Sequence, residues 1–353
     1  VTQPFTMDTV YPEVSVTIPY DIFSPNADGQ KDILPINITT SNEAVWQGSI
    51  TDASKNTVRS FRWEGSVPSF NWDGNDEAGN VVADGKYSFN LSSTDSAGNK
   101  AQVSISGITV DNRAVKAYVT AELDAFSPNG DGKVDTQNFT IMTTVPDGID
   151  TWSFSIFNAE NKLLLRQWNQ NDSKAVPSSI IWDGIDTTGK VFQGQCYAQL
   201  EVSYTKGDVV SISTTPFISW ATAPQLTVKT APKYFSPDND GIDDDLYISL
   251  KGSSIVPFTQ WSFEIKDPQN GKSFWKTSGK SAITERIIWD GRGNNGELVQ
   301  SATDYPYTFT VTDSLGMTSA VSGIISVDVL VIRVGNVLKM QVPSIIFRSD
   351  NAD

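Results

Sequence analysis

The chain has 353 residues, 39% of them hydrophobic and 10% aromatic, which suffices for two or three packed domains of roughly 100 to 150 residues. Its 26 Lys and Arg against 41 Asp and Glu leave a formal charge of −15. Such a surface repels phosphate backbones and anionic headgroups, so nucleic acid and acidic lipid are excluded as partners.

Histidine is absent and cysteine occurs once, at Cys196. The commonest general base, the commonest transition-metal ligand, intrachain disulfides and thiolate clusters are thereby removed. Carboxylate chemistry remains, meaning glycoside hydrolysis or the binding of a hard cation. Cys196 lies in a strand-like run, where a small buried hydrophobe is expected. No stretch of about 20 apolar residues would form a membrane-spanning helix. Residues 1–11 lack the basic-then-apolar pattern of a leader, and the chain stops straight after an apolar run, as a piece of a longer protein would.

In chain order, the first feature is the loop FSPNADGQKD at 23–32, which returns as FSPNGDGKVD at 126–135 and as FSPDNDGIDD at 235–244. Next comes a tryptophan followed four residues later by isoleucine: Trp46 and Ile50, Trp152 and Ile156, Trp261 and Ile265. A WDG turn follows at Trp72, Trp182 and Trp289. Three markers in one order, three times over, define a repeat of roughly 100 to 110 residues. Inside each repeat the hydrophobic period is two, as in Tyr87, Phe89 and Leu91; Leu200, Val202 and Tyr204; and Tyr307, Phe309 and Val311. That is the period of half-buried strands.

The predicted fold class is all-β: three tandem immunoglobulin- or fibronectin-like β-sandwiches in an elongated array, held by core packing without the usual disulfide. The expected divisions are 1–113, 114–222 and 223–328, with 329–353 a C-terminal strand segment. Short connectors at 110–116 and 219–224 predict a semi-rigid rod.

Each FSP loop alternates oxygen-bearing side chains ahead of glycine: Asn26, Asp28 and Asp32; Asn129, Asp131 and Asp135; Asp238, Asp240 and Asp244. In an EF-hand-type frame Ser24, Asn26, Asp28, Gly29, the Gln30 carbonyl and Asp32 fill positions 1, 3, 5, 6, 7 and 9. Position 12, normally a bidentate carboxylate, is Pro35, Asn138 or Tyr247. Calcium is therefore the expected cofactor, and a metal-free rigid corner built from Pro, Asn or Asp and Gly is the alternative. The third loop is the best candidate, because Asp238, Asp240, Asp243, Asp244 and Asp245 crowd five carboxylates that repel one another without a cation.

The WDG tryptophans are expected to plug the space between sheets, with Asp73, Asp183 and Asp290 closing turns. A sugar-stacking platform is the functional alternative. Paired carboxylates for glycoside hydrolysis have no support beyond abundance, and no phosphate loop, serine elbow or metalloprotease signature is present, so no enzyme is expected.

The pairing of FSPNGDG with WDG-x-D-x-x-G-x-x-V-x-x-G-x-Y resembles the FlgD-like immunoglobulin-fold domains of bacterial envelope proteins and of the flagellar hook-capping protein. Trp72, Gly79, Val82, Gly85 and Tyr87 match this pattern. The second repeat keeps Gly189, Gly194 and Tyr197 but has Phe192 for valine, and the third departs through Arg292 and Asn294. Residues 330–353, with Pro343, Ile345 and Phe347 followed by Asn351, Ala352 and Asp353, look like the start of an OmpA-type peptidoglycan-binding domain, similar to repeat-bearing spirochaete envelope proteins. These resemblances imply a non-enzymatic spacer or interaction protein at the periplasm, outer membrane or cell surface. Its expected partners are peptidoglycan or envelope proteins. The alternatives are an adhesin for a host protein or glycan, for which Phe192, Phe217 and Trp220 would supply an exposed patch, and an extra edge strand in place of the OmpA-like start.

Overall fold

The computed structural model describes residues 7–341. Every regular element among them is a β-strand, and the all-β immunoglobulin-like reading holds. The chain divides into two compact units. The first holds the described residues up to Glu122 together with Asn138–Thr188 and Gln195–Phe217. The second holds Leu123–Gln137, Gly189–Gly194 and the described residues from Ile218 onward.

In the first unit, Ile22–Phe23, Lys100–Val110, Gly85–Thr94, Glu43–Asp52 and Thr57–Gly65 form one sheet in that order, and Val14–Thr17, Leu34–Thr40 and Phe70–Trp72 form the facing one. The strand pairs of these sheets are antiparallel except Ile22–Phe23, which runs parallel to Lys100–Val110 with Phe23 opposite Val110. The period-two pattern explains the face each strand buries: Tyr87, Phe89 and Leu91 point inward while the residues between them are less buried. They meet Phe23, Leu34, Ile36, Trp46, Ile50, Trp72 and Ile108 in one core. The same unit carries strands of the second repeat, among them Ile149–Asn158 set between Leu164–Asn169 and Gly194–Tyr204. Cys196 is fully buried there, in accord with its expected role as a small hydrophobe.

The second unit repeats the arrangement. Tyr234–Phe235, Thr318–Val327, Asp304–Asp313, Phe258–Lys266 and Ser273–Gly279 make one sheet, and Gln225–Ala231, Leu246–Ser253 and Arg286–Trp289 the other. Phe235, Ile248, Trp261, Phe263, Trp289 and Phe309 fill its core. A hairpin, Leu330–Val334 with Val337–Gln341, follows. The motif residues Pro343, Ile345, Phe347, Asn351, Ala352 and Asp353 of the OmpA-like resemblance lie outside the described residues.

Candidate functional site

The three FSP loops adopt one hydrogen-bonded form. The loop serine amide reaches across to a carbonyl seven residues on, Ser24 to Lys31, Ser127 to Val134 and Ser236 to Asp243, at 2.8–3.1 Å. The last carboxylate then takes two amides of its own loop. Asp32 accepts from Ala27 and Gly29, Asp135 from Gly130 and Gly132, and Asp244 from Asn239 and Gly241, all at 2.6–2.8 Å. The middle carboxylate caps the amide two residues on: Asp28 to Gln30, Asp131 to Lys133, Asp240 to Ile242. Charge-assisted bonds of this length make each loop a stiff corner from its own residues.

The corners differ at their first polar position. Asn26 and Asn129 each take the amide of the following aspartate on the side-chain oxygen. Asp238 replaces that amide side chain with a carboxylate. Its Oδ2 accepts from the Val331 amide at 2.8 Å, and its Oδ1 is buried without a partner. Among the described residues, Asp238, Asp240 and Asp244 are the one group of three carboxylates whose oxygens all lie within 4.8 Å of one another. Asn26, Asp28, Asp32, Asn129, Asp131 and Asp135 stand at the equivalent places of the first two corners, where one carboxylate fewer is present. A short all-oxygen cluster of this kind suits a hard divalent cation such as calcium.

In the first and third repeats the FSP and WDG markers touch. Gly74 has φ +73°, and a Cβ there would stand 2.5 Å from the Pro25 ring; Gly291 has φ +77° and would stand 2.6 Å from that of Pro237. The glycine thus supplies both a backbone conformation and the room for the proline. Trp72, Trp182 and Trp289 are at most 2% exposed, and each indole N–H donates to the carbonyl three residues on, at Asn75, Ile185 and Arg292. They are core plugs, as expected, and their rings are not free to stack on a sugar. Asp73, Asp183 and Asp290 each cap the amide two residues on, closing the turns as expected. Of the three aromatics considered as a patch, Phe217 is 1% exposed and so is removed, while Phe192 and Trp220 are half-buried.

Two buried charged groups escaped the sequence reading. Lys206, in the hairpin turn 204–208, is 2% exposed and faces Asp111 and Asp208 at 3.4 Å each. Asp313, in the turn 312–317, is 1% exposed. Its Oδ1 accepts from the Leu315 and Met317 amides at 3.0 Å, and its Oδ2 has no partner. The signal lay in comparing turns: TDSAGN at 94–99 is solvated, and there Asn99 donates to Asp95 at 2.8 Å, whereas TDSLGM at 312–317 has methionine in that place.

Burial pushes the Asp313 carboxyl above the ordinary 3.8, against the pull of the amides of Met317, Leu315 and Gly316. A raised folded value means that the protonated form is favoured by folding, so this stabilisation is full below 3.8 and lost as pH rises through the folded value. Asp313→Asn keeps the accepting oxygen and removes the charge. Its melting temperature at neutral pH is expected to exceed that of the parent by a few degrees, with the difference shrinking in acid. Thermal melts across pH check this, and a lower melting temperature for the variant at neutral pH would refute it.

Residues 26–97 match the family model of the FlgD Ig-like domain. No curated protein matches the chain. Among solved structures, the chain is similar to a tetra-tandem repeat from the extending region of a large adhesion protein, at 17% identity over 91% of this chain and 75% of that one, with a TM-score of 0.34. It is similar also to a calcium-stabilised adhesin with which an Antarctic bacterium binds ice, at 17% identity over 91% and 75%, TM-score 0.35. A third is part of a 1.5-MDa bacterial ice-binding adhesin, at 13% identity over 91% and 99%, TM-score 0.34.

Proposed function

We propose that the chain is a non-enzymatic, extracytoplasmic bacterial spacer or interaction protein, assembled from immunoglobulin-like repeats whose corners are stiffened from within, and that the third corner binds calcium. The repeats are assigned to 1–113, 114–222 and 223–328. The match of residues 26–97 to the FlgD Ig-like domain supports the envelope setting. The WDG tryptophans plug the cores and the repeated loop aspartates close their own turns, which supports a mechanical role. The calcium reading rests on one observation, the convergence of Asp238, Asp240 and Asp244. Contact with peptidoglycan is assigned to the OmpA-like segment that begins near Leu330.

In this role a divalent cation at the third corner offsets most of the charge of the three carboxylates and stabilises the folded loop by mass action, since it binds the folded form. Calcium titration by calorimetry is expected to give one saturable site and a melting temperature higher in calcium than in chelator. Asp238→Asn, which gives the third loop the asparagine of the other two, is expected to abolish the heat while leaving the melting temperature in chelator near that of the parent. No heat and no shift for the parent chain would leave the loop a metal-free turn and sink the calcium reading.

A further inference from the structure

The hairpin turn of one repeat recurs beside the FSP corner of the repeat before it, and it does so twice with different chemistry. In the first unit, the Lys31 ammonium on the first corner donates to the Thr205 carbonyl at 2.6 Å, and the Asn26 amide donates to Asp208 at 3.1 Å. Gly207, at the tip of this turn, lies against the corner so closely that a Cβ would stand 2.9 Å from the Gln30 carbonyl oxygen and 3.1 Å from the Lys31 Cβ. Behind the tip, the Lys206 ammonium donates to the backbone carbonyls of Asp111 and Arg113, in the connector between repeats, at 3.3 and 2.5 Å. Arg113 in turn bridges Asp111 and Asp147 at 2.7 and 2.9 Å.

In the second unit the equivalent turn, 313–317, presents Leu315 and Met317 instead. With Val256 they are buried in a satellite cluster against Ala125, Ile218, Trp220 and Ala223, and the Ser127 hydroxyl of the second corner meets the Met317 sulfur at 3.6 Å.

We propose that the FSP corner is a docking socket whose ligand is the hairpin turn of the following immunoglobulin-like repeat, and that the turn's side chains choose the partner corner. Asp208 and the Thr205 carbonyl accept from Asn26 and Lys31 of the polar corner, while Lys206 latches the connector by its carbonyls. Leu315 and Met317 match the apolar corner around Ala125 and Trp220. The first joint is consequently polar, held by charge-assisted hydrogen bonds, and the second apolar, held by burial.

The connector supplies its own reporter. Arg113 is followed by Ala114, both are exposed, and trypsin cuts after arginine only when the backbone is free to enter its cleft. In the intact chain, Gly207→Ala drives a methyl into the Gln30 carbonyl and is expected to raise the rate of cutting between Arg113 and Ala114 by roughly tenfold, since proteolysis follows the population of the opened joint. Gly98→Ala is the control. Gly98 holds the same place in the first repeat's turn at φ +90°, compared with +114° for Gly207, but a Cβ there would meet nothing within 4 Å. It carries the backbone strain without the collision and is expected to leave cutting at this bond unchanged. Lys31→Ala, on the opposite face of the joint, removes the bond to the Thr205 carbonyl and is expected to give a several-fold increase. If Gly207→Ala and Gly98→Ala alter the rate equally, or Lys31→Ala does not alter it, the docking proposal is wrong.

Discussion

Truncating Trp72 to alanine is expected to destabilise the first sandwich by about 3–5 kcal/mol, the usual loss when a large buried aromatic side chain is removed. The ring is fully buried, meets Phe23 and Tyr87 edge-on at centroid distances of 5.3 and 5.4 Å, and donates its indole N–H to Asn75. Removing it leaves a cavity where the two sheets meet and strips the support from Phe23, the residue that begins the first corner. Calorimetry should show a low-temperature transition split away from the rest of the profile, because the third sandwich fills its core with its own residues. Trp72→Phe should lose less, since it keeps most of the buried ring and forfeits only the indole bond. An unchanged melting profile for Trp72→Ala would mean that the tryptophan is not the plug described here.

Lys206→Met is expected to cost a further large sum, about 3–5 kcal/mol, because it removes one partner from a buried ionic group and leaves the others charged. Methionine fits the space of the lysine stem, so the loss reports on charge more than on volume. Asp111 keeps its Arg113 partner, so the group left without a cation is Asp208, and the double variant Lys206→Met with Asp208→Asn should recover part of the loss. If the single and double variants are equally stable, the group is not coupled.

The pH response follows from Asp111. The Arg113 guanidinium bonded to it, helped by Lys206, holds its carboxyl down at about 2, against the cost of burial. A depressed folded value gives stability that is full above the ordinary 3.8 and lost as pH falls toward about 2. The first joint should therefore loosen in strong acid, whereas the buried Asp313 pushes the second unit the opposite way. Urea melts between pH 2 and 7 that resolve the two units would show opposite slopes.

Much of this architecture is legible in residue order. Period-two runs such as Tyr87, Phe89 and Leu91 name both the strand and its inward face, since alternate side chains of a strand point to opposite sides. The tryptophans at both marker positions are buried as their repetition suggested. The corner geometry is legible too, because its bonds link residues no more than seven apart, within reach of local turn chemistry.

What could not be read were contacts between residues remote in the chain. Asn26 and Asp208 are 182 apart, Lys31 and Thr205 are 174 apart, and nothing in the local pattern of either partner announces the other. The same holds for the Pro25 ring on Gly74, which explains the pairing of two markers that the sequence could only record as a coincidence of order. Repetition and composition by themselves settled the strand class and the inward faces and located the corners, with the self-capped form as one of two readings, because local backbone chemistry and side-chain alternation decide those. Only the tertiary structure decided which charges are buried and which turn sits on which corner. Desolvation and ionic pairing depend on what surrounds a group in space, and that is assembled from distant parts of the chain.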